Sequence, residues 1–281
     1  MVILHGSDFQ VGRPYRRDVA QAFLDLSRAL TPDLVVIAGD LTQRAKAAEY
    51  RVVRSFLDAL VPAPVVVTPG NHDVPLYRFW ERLVAPYANW RRFLGPELDT
   101  VTRIPGLTAV ALNSSAPRRA IVGGRLDAPQ VAFARDAFRH AAPGDARVLV
   151  VHHHFVPTVD GLGGRPLPGA AALLRAFEAM GVDLILGGHV HQTHVRTSRD
   201  LVPGDGAGIP LVACGTTASS RGRGPEAGLN TLNVIRLGGD AVEVVSHRFD
   251  RDRGGFVPGP ARRLPVRAAS RSAGVHGGGD A

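Results

Sequence analysis

Five short aliphatic runs of this chain end in side chains that can bind metal: Val2-Ile-Leu-His-Gly-Ser-Asp8, Leu34-Val-Val-Ile-Ala-Gly-Asp40, Val65-Val-Val-Thr-Pro-Gly-Asn-His-Asp73, Val148-Leu-Val-Val-His-His-His154 and Leu184-Ile-Leu-Gly-Gly-His-Val-His191. Asp8, Asp40, Asn71, His152, His189 and His191 are the candidate ligands. Carboxylate, amide and imidazole donors without thiolate suit Mn, Fe or Zn in a reactive centre and argue against a structural zinc site. The single cysteine, Cys214, excludes a disulfide scaffold and a cysteine-based zinc finger. Gly39, Gly70 and Gly188 each precede a candidate ligand, where the chain must turn sharply and let backbone come close to the site. If His189-Val190-His191 is extended, both imidazoles point to one side, a spacing suited to ligands on neighbouring ions.

Elements that could position these residues follow an α/β rhythm. Strands are expected at Val2 to Leu4, Leu34 to Ala38, Val65 to Thr68, Leu107 to Leu112, Val148 to Val151 and Leu184 to Leu186. Helices are expected at Arg17 to Leu30, Ala45 to Leu60, Leu76 to Leu94 with a break at Pro86, Asp127 to about His140 with a capping box to Gln130, and Ala170 to Met180. Beyond His191, Val195, Leu211 to Ala213, Leu229 to Leu237 and Val242 to Phe249 read as antiparallel strands that close a mixed sheet. In open α/β sheets, ligands gather beyond the carboxyl ends of the strands, so the five runs would converge on one crevice.

Asp8, Gly39-Asp40, Gly70-Asn-His-Asp73, His152 and Gly188-His-Val-His191 together resemble the ordered signature of the calcineurin-like metallophosphoesterases. Cys214-Gly-Thr-Thr-Ala-Ser-Ser-Arg-Gly-Arg223 also resembles a downstream segment of bacterial members. The resemblance implies a four-layer α/β/β/α sandwich of two face-packed mixed sheets and a site for two divalent ions. Asp40 would bridge them, Asp8 and His191 would hold the first, and Asn71, His152 and His189 the second. His72, supported by Asp73, would contact the phosphoryl oxygen or protonate the leaving group. The implied reaction is phosphoester hydrolysis, phosphodiester in preference to phosphomonoester, by hydroxide generated at the metals. The family pattern selects His152 from the His152-His153-His154 run, with His153 as the fallback.

Gln10 departs from the pattern. Family members usually carry Asp-x-His in the first strand, and here Asp8-Phe9-Gln10 places an amide where an imidazole would ligate the first ion. Amide oxygen is the weaker donor to borderline metals. A weakened first site is expected, with a one-metal or inactive centre as the alternative.

The formal charge is +8, and 32 of the 33 Lys+Arg residues are Arg, Lys46 being the exception. Residues 251 to 281 carry six Arg and two Asp, so four of the eight excess charges lie there. That segment reads as a disordered tail after a single domain spanning 1–250. The remaining positive bias suits a site that attracts phosphate. Arg221 and Arg223 are the expected substrate-binding arginines, and Phe9, Tyr77 and Phe155 are candidates either for the pocket wall or for ordinary core. No apolar run reaches membrane-spanning length, and the N-terminus lacks a signal-peptide pattern, so a cytoplasmic protein is expected. A small phosphoester such as a cyclic nucleotide or phospholipid headgroup is the expected substrate. A nuclease would need a basic, aromatic-interleaved stripe that the sequence lacks, and a metal-binding adaptor is the reading from outside the enzyme class.

Overall fold

The computed structural model describes residues 1–266 apart from positions 61, 120, 159, 160 and 162. Strand β1 (Val2–Gly6) leads through helix α1 (Arg17–Leu30) to β2 (Leu34–Ile37), and α2 (Ala47–Asp58) leads on to β3 (Val65–Val67). These three strands pair in parallel. Every residue of β2 is buried, as expected of a parallel strand covered on both faces. Two short helices follow, α3 (Phe79–Val84) and α4 (Ala88–Phe93), divided around Pro86.

A second sheet begins with β4 (Thr100–Ile104) and β5 (Leu107–Leu112), then α5 (Ala128–Arg139), β6 (Ala146–Val151), α6 (Ala170–Ala179) and β7 (Leu184–Gly187). Gln130 closes the expected capping box on α5, its Oε1 accepting the Asp127 N–H at 3.1 Å. β8 (His194–Thr197) and β9 (Pro210–Ala213) complete this sheet in the order β4-β5-β6-β7-β9-β8. The chain then returns to the first sheet through β10 (Thr231–Gly238), β11 (Ala241–Asp250) and β12 (Gly255–Pro265), giving the order β12-β11-β10-β1-β2-β3.

The two sheets pack face to face through Ile3 and Val36 of one and Val150 and Leu186 of the other. Val19, Phe23 and Val53 of α1 and α2 cover the outer face of the first sheet against Leu4 and Val35. Phe138 and Phe177 of α5 and α6 cover the second against Leu149 and Ile185. This is the expected four-layer sandwich, with β1, β2, β3, β6 and β7 ending on a common crevice.

Three expectations need correction. β4 was not foreseen, because a partly exposed edge strand leaves little apolar pattern. β9 runs parallel to β7 and only β8 is antiparallel to it, since the chain passes out to the edge before entering between them. The expected disordered tail from residue 251 instead forms β12 over Gly255–Pro265, paired antiparallel with β11. Its Pro258 and Pro260 and its exposed arginines suit an edge strand, which has neither a full ladder nor a buried face to show in sequence. The rest of that segment, 267–281, lies outside the described residues.

Candidate metal centre

Asp8 follows β1 and is fully buried. Its Oδ2 accepts the Ser7 hydroxyl at 2.7 Å and the His189 N–H at 3.0 Å. Its Oδ1 is buried without a hydrogen-bond partner and faces His191 Nε2 at 3.1 Å. Burial alone would raise this carboxyl, but the His191 imidazole and the Ser7 hydroxyl outweigh it and hold the group below the usual carboxylate range. The same ion pair, against the effect of burial, raises His191 above the ordinary histidine value. His191 Nδ1 lies 2.7 Å from the Arg221 carbonyl. Donation to that carbonyl fixes the tautomer that turns Nε2 toward the carboxylates.

Asp40 lies between two groups of donors. Its Oδ1 accepts the His72 N–H at 2.8 Å and lies 3.4 Å from His152 Nε2. Its Oδ2 is 3.3 Å from the amide nitrogen of Gln10. Asp8, Asp40 and His191 form one set of converging ligand atoms, and His152, His153 and His189 form another. Asn71 Oδ1 reaches His189 Nδ1 at 3.0 Å, which joins it to the second set. Burial and the neighbouring imidazoles push His189 well below the ordinary histidine value, keeping it neutral, the form that ligates a metal.

Hydrogen bonding distinguishes the histidines of the run. His152 Nδ1 contacts the Ala38 carbonyl at 2.6 Å, while its Nε2 is buried, unpartnered and turned toward Asp40. His153 has both ring nitrogens engaged, Nδ1 with Ser114 Oγ at 2.7 Å and Nε2 with the Val122 carbonyl at 3.0 Å. It is close enough to be counted with the ligands, but its lone pair is committed.

Gly39 has φ +87°, and a Cβ there would fall 2.5 Å from His152 Nδ1. A Cβ at Gly70 would collide with the Asp40 carboxylate. Both glycines are thus required by close approach to a candidate ligand. The left-handed region is also occupied by Asp8, Gln10, Asp40, His189 and His191, at φ between 49° and 73°. This corrects the expected extended geometry of His189-Val190-His191: the two imidazoles part toward different donor sets because both residues turn. A non-glycine residue in this region costs on the order of 1 kcal/mol, and such residues cluster where function demands them.

Gln10 also differs from expectation. Its Oε1 accepts the Ser219 hydroxyl at 3.1 Å, and its Nε2 lies 3.3 Å from both Asp40 Oδ2 and His191 Nε2. The nitrogen, not the expected oxygen, faces the crevice. Asp73, expected to assist catalysis, does not line the cavity. Its oxygens accept from the N–H groups of Leu41, Thr42 and Gly70 and from the Thr42 hydroxyl. It pins the loop after β2 to the loop after β3. Burial and the charge of Asp40 push its carboxyl up to about 7, against those donors.

His72, Arg221 and Arg223 line an open cavity of about 800 Å³ above Asp40, Asn71, His189 and His191. Arg221 Nη1 donates to His72 Nε2 at 3.0 Å, while His72 Nδ1 contacts the Gln43 carbonyl at 3.1 Å. Of the aromatic candidates, Tyr77 lines the cavity, whereas Phe9 and Phe155 are core. Sequence reasoning missed Ser7 and Ser219, which orient Asp8 and Gln10, and the rim cations Arg13, Arg44 and Lys46. Ser7 had a signal in its place beside Asp8, and Ser219 in lying within the Cys214–Arg223 segment, but its contact with Gln10 is visible only in the tertiary structure.

Buried Asp8 Oδ1 and His152 Nε2, both without hydrogen-bond partners, flank Asp40 among carboxylate, amide and imidazole donors. These groups fit divalent cations, and on this fold they define a metal-dependent phosphoester hydrolase. The chain belongs to the calcineurin-like phosphoesterase family, whose model matches residues 1–193. It is 31% identical over 254 residues to a cAMP/cGMP dual specificity phosphodiesterase of Mycobacterium tuberculosis, covering 83% of this chain and 73% of that protein. A probable cyclic nucleotide phosphodiesterase of Synechococcus is 28% identical over 59% of this chain and 60% of its own length. A dimetal phosphatase from Danio rerio shares the fold, with a TM-score of 0.62 at 13% identity over 95% of this chain and 99% of that one. No helix among the described residues is long and apolar enough to cross a membrane.

Proposed function

We propose that this protein hydrolyses small phosphodiesters, cyclic nucleotides being the favoured class, at a centre for two divalent metal ions. The carrying observation is the position of Asp40, with Oδ1 toward His152 and Oδ2 on the side of Gln10 and the Asp8–His191 pair. Asp8, Asp40 and His191 would hold the first ion, and Asp40, Asn71, His152 and His189 the second. Such ions supply Lewis-acid polarisation of phosphoryl oxygens and lower the pKa of bound water. Mn, Fe and Zn all suit these donors, and the first site is the weaker, since Gln10 offers it an N–H in place of a lone pair.

His72 lines the cavity close to Asp40 and stands outside both ligand sets. With Nδ1–H donated to the Gln43 carbonyl and Nε2 accepting from Arg221, His72 carries no proton at Nε2 in this state; to act as the acid it must first take up a proton there and release Arg221, and Nε2 then passes that proton to the departing oxygen. Arg221, released from His72, and Arg223 supply donors to non-reacting phosphate oxygens. The cyclic-nucleotide preference rests on the names of the two relatives and on a cavity large enough for a nucleotide.

The test is turnover of cAMP, cGMP and bis(p-nitrophenyl) phosphate by purified protein with added Mn, beside Asn71→Ala. Metal-stimulated cleavage abolished by Asn71→Ala supports the reading. Metal binding with no turnover of any diester or of p-nitrophenyl phosphate would overturn it in favour of an adaptor.

A further inference from the structure

We propose that an apolar, arginine-flanked face beside the cavity mouth docks this protein onto an anionic lipid bilayer. The face begins with α3, a six-residue helix with no buried residue. Phe79, Trp80 and Val84 are 64%, 75% and 73% exposed, and Leu83 is exposed as well. A helix this short, stopped at Pro86, cannot direct a full apolar stripe into the core, yet its sequence keeps large apolar side chains. Ile121 and Val122, also exposed, lie a few residues beyond Pro117 and Arg118 in the loop beside α3. Arg82 Nε donates to the Pro117 carbonyl at 2.6 Å, and Arg118 Nε donates to the Leu83 carbonyl at 2.9 Å, clamping helix and loop together. Ile121 and Val122 also line the cavity with Tyr77, two residues before α3, so both the loop and the approach to the helix border its mouth.

Charge identifies the occupant. Arg82 and Arg118 spend these donors on carbonyl oxygens, and among the described residues neither is in an ion pair. The nearby acids are already engaged, Glu81 with Arg78 and Asp127 with Arg125. Arg13, Arg44 and Lys46 add cations along the cavity rim. Aromatic and aliphatic side chains flanked by arginine match an interface of acyl chains beneath anionic headgroups. A stable protein partner would engage roughly 20–30 residues a side, far more than this face offers, and isolated exposure of so many large apolar groups is uncommon without a role.

Two tryptophans make the test direct, because Trp90 is buried and Trp80 is exposed. The full chain, loaded with Mn, is titrated with vesicles of phosphatidylcholine alone and with an equimolar phosphatidylcholine–phosphatidylglycerol mixture. Fluorescence and co-sedimentation are read together. Expected are a blue shift and co-sedimentation with the anionic vesicles, weakened by high salt. The Phe79→Ser/Trp80→Ser/Val84→Ser variant should partition at least about tenfold less while keeping its turnover of bis(p-nitrophenyl) phosphate. The absence of anionic-vesicle binding, or binding unchanged in the variant, overturns the proposal. Self-association of the parent protein that disappears in the variant, without vesicle binding, would assign the face to a second copy and overturn it too. The hydrolase reading stands or falls separately on the turnover assay.

Discussion

Gln10 presents its amide nitrogen to Asp40, 3.3 Å from Oδ2, while Ser219 holds its oxygen away from the crevice. An N–H donor cannot ligate a cation, so Gln10 must either rotate and give up Ser219 or leave the first ion one ligand short. Metal titration followed by calorimetry and elemental analysis should show one tight and one weaker site in the parent protein. Gln10→His should tighten the weaker site by at least about tenfold, roughly one good ligand. Two equally tight sites unaffected by Gln10→His would contradict the geometry.

Neighbouring histidines should separate by metal content. His152→Ala removes the buried Nε2 turned toward Asp40 and should lower bound metal per chain. His153→Gln should keep the metal but destabilise the fold by about 1–3 kcal/mol, because contacts to Ser114 and Val122 are lost in the interior. Elemental analysis and urea denaturation distinguish the two effects.

His72→Ala should retain its metal and lose about 10²-fold in kcat, the usual scale for a general acid. The loss should be greater for a diester with an alkoxide leaving group than for one releasing p-nitrophenolate, which departs without a proton. Equal losses on both substrates would remove His72 as the acid.

Acid stability should depend on His5, which lies fully buried beneath the site with Nδ1 3.4 Å from Asn233 Nδ2. Burial lowers its pKa from 6.5 to about 3. The folded state therefore resists a proton that the unfolded chain accepts. Its stabilising contribution is complete above pH 6.5 and declines as pH falls toward about 3, by up to about 1.4 kcal/mol per pH unit. Denaturation midpoints between pH 7 and 4 should fall less steeply for His5→Gln than for the parent chain.

That Asp8, Asp40, Asn71, His152, His189 and His191 converge was legible because each follows an aliphatic run, and the sandwich was legible because those runs alternate with helices. What was hidden depends on distant partners. The orientation of the Gln10 amide is set by Ser219, 209 positions away. Both ring nitrogens of His153 are engaged by Ser114 and Val122, which no local pattern joins to it. The left-handed backbone of His189 and His191 is imposed by the packing around them, against their own preference. β12 was read as a tail because an exposed strand of Pro, Gly and Arg has the composition of a loop.

The candidate ligands come from two sources: Asp8, Asp40 and Asn71 follow strands of one sheet, and His152, His189 and His191 follow strands of the other. The centre is assembled across a plane along which two layers could slide. A displacement too small to disturb the apolar contacts of Ile3, Val36, Val150 and Leu186 would still move half of the ligands relative to the rest. Affinity for metal thus gauges the alignment of the whole sandwich, and side chains at its middle can tune chemistry they never touch.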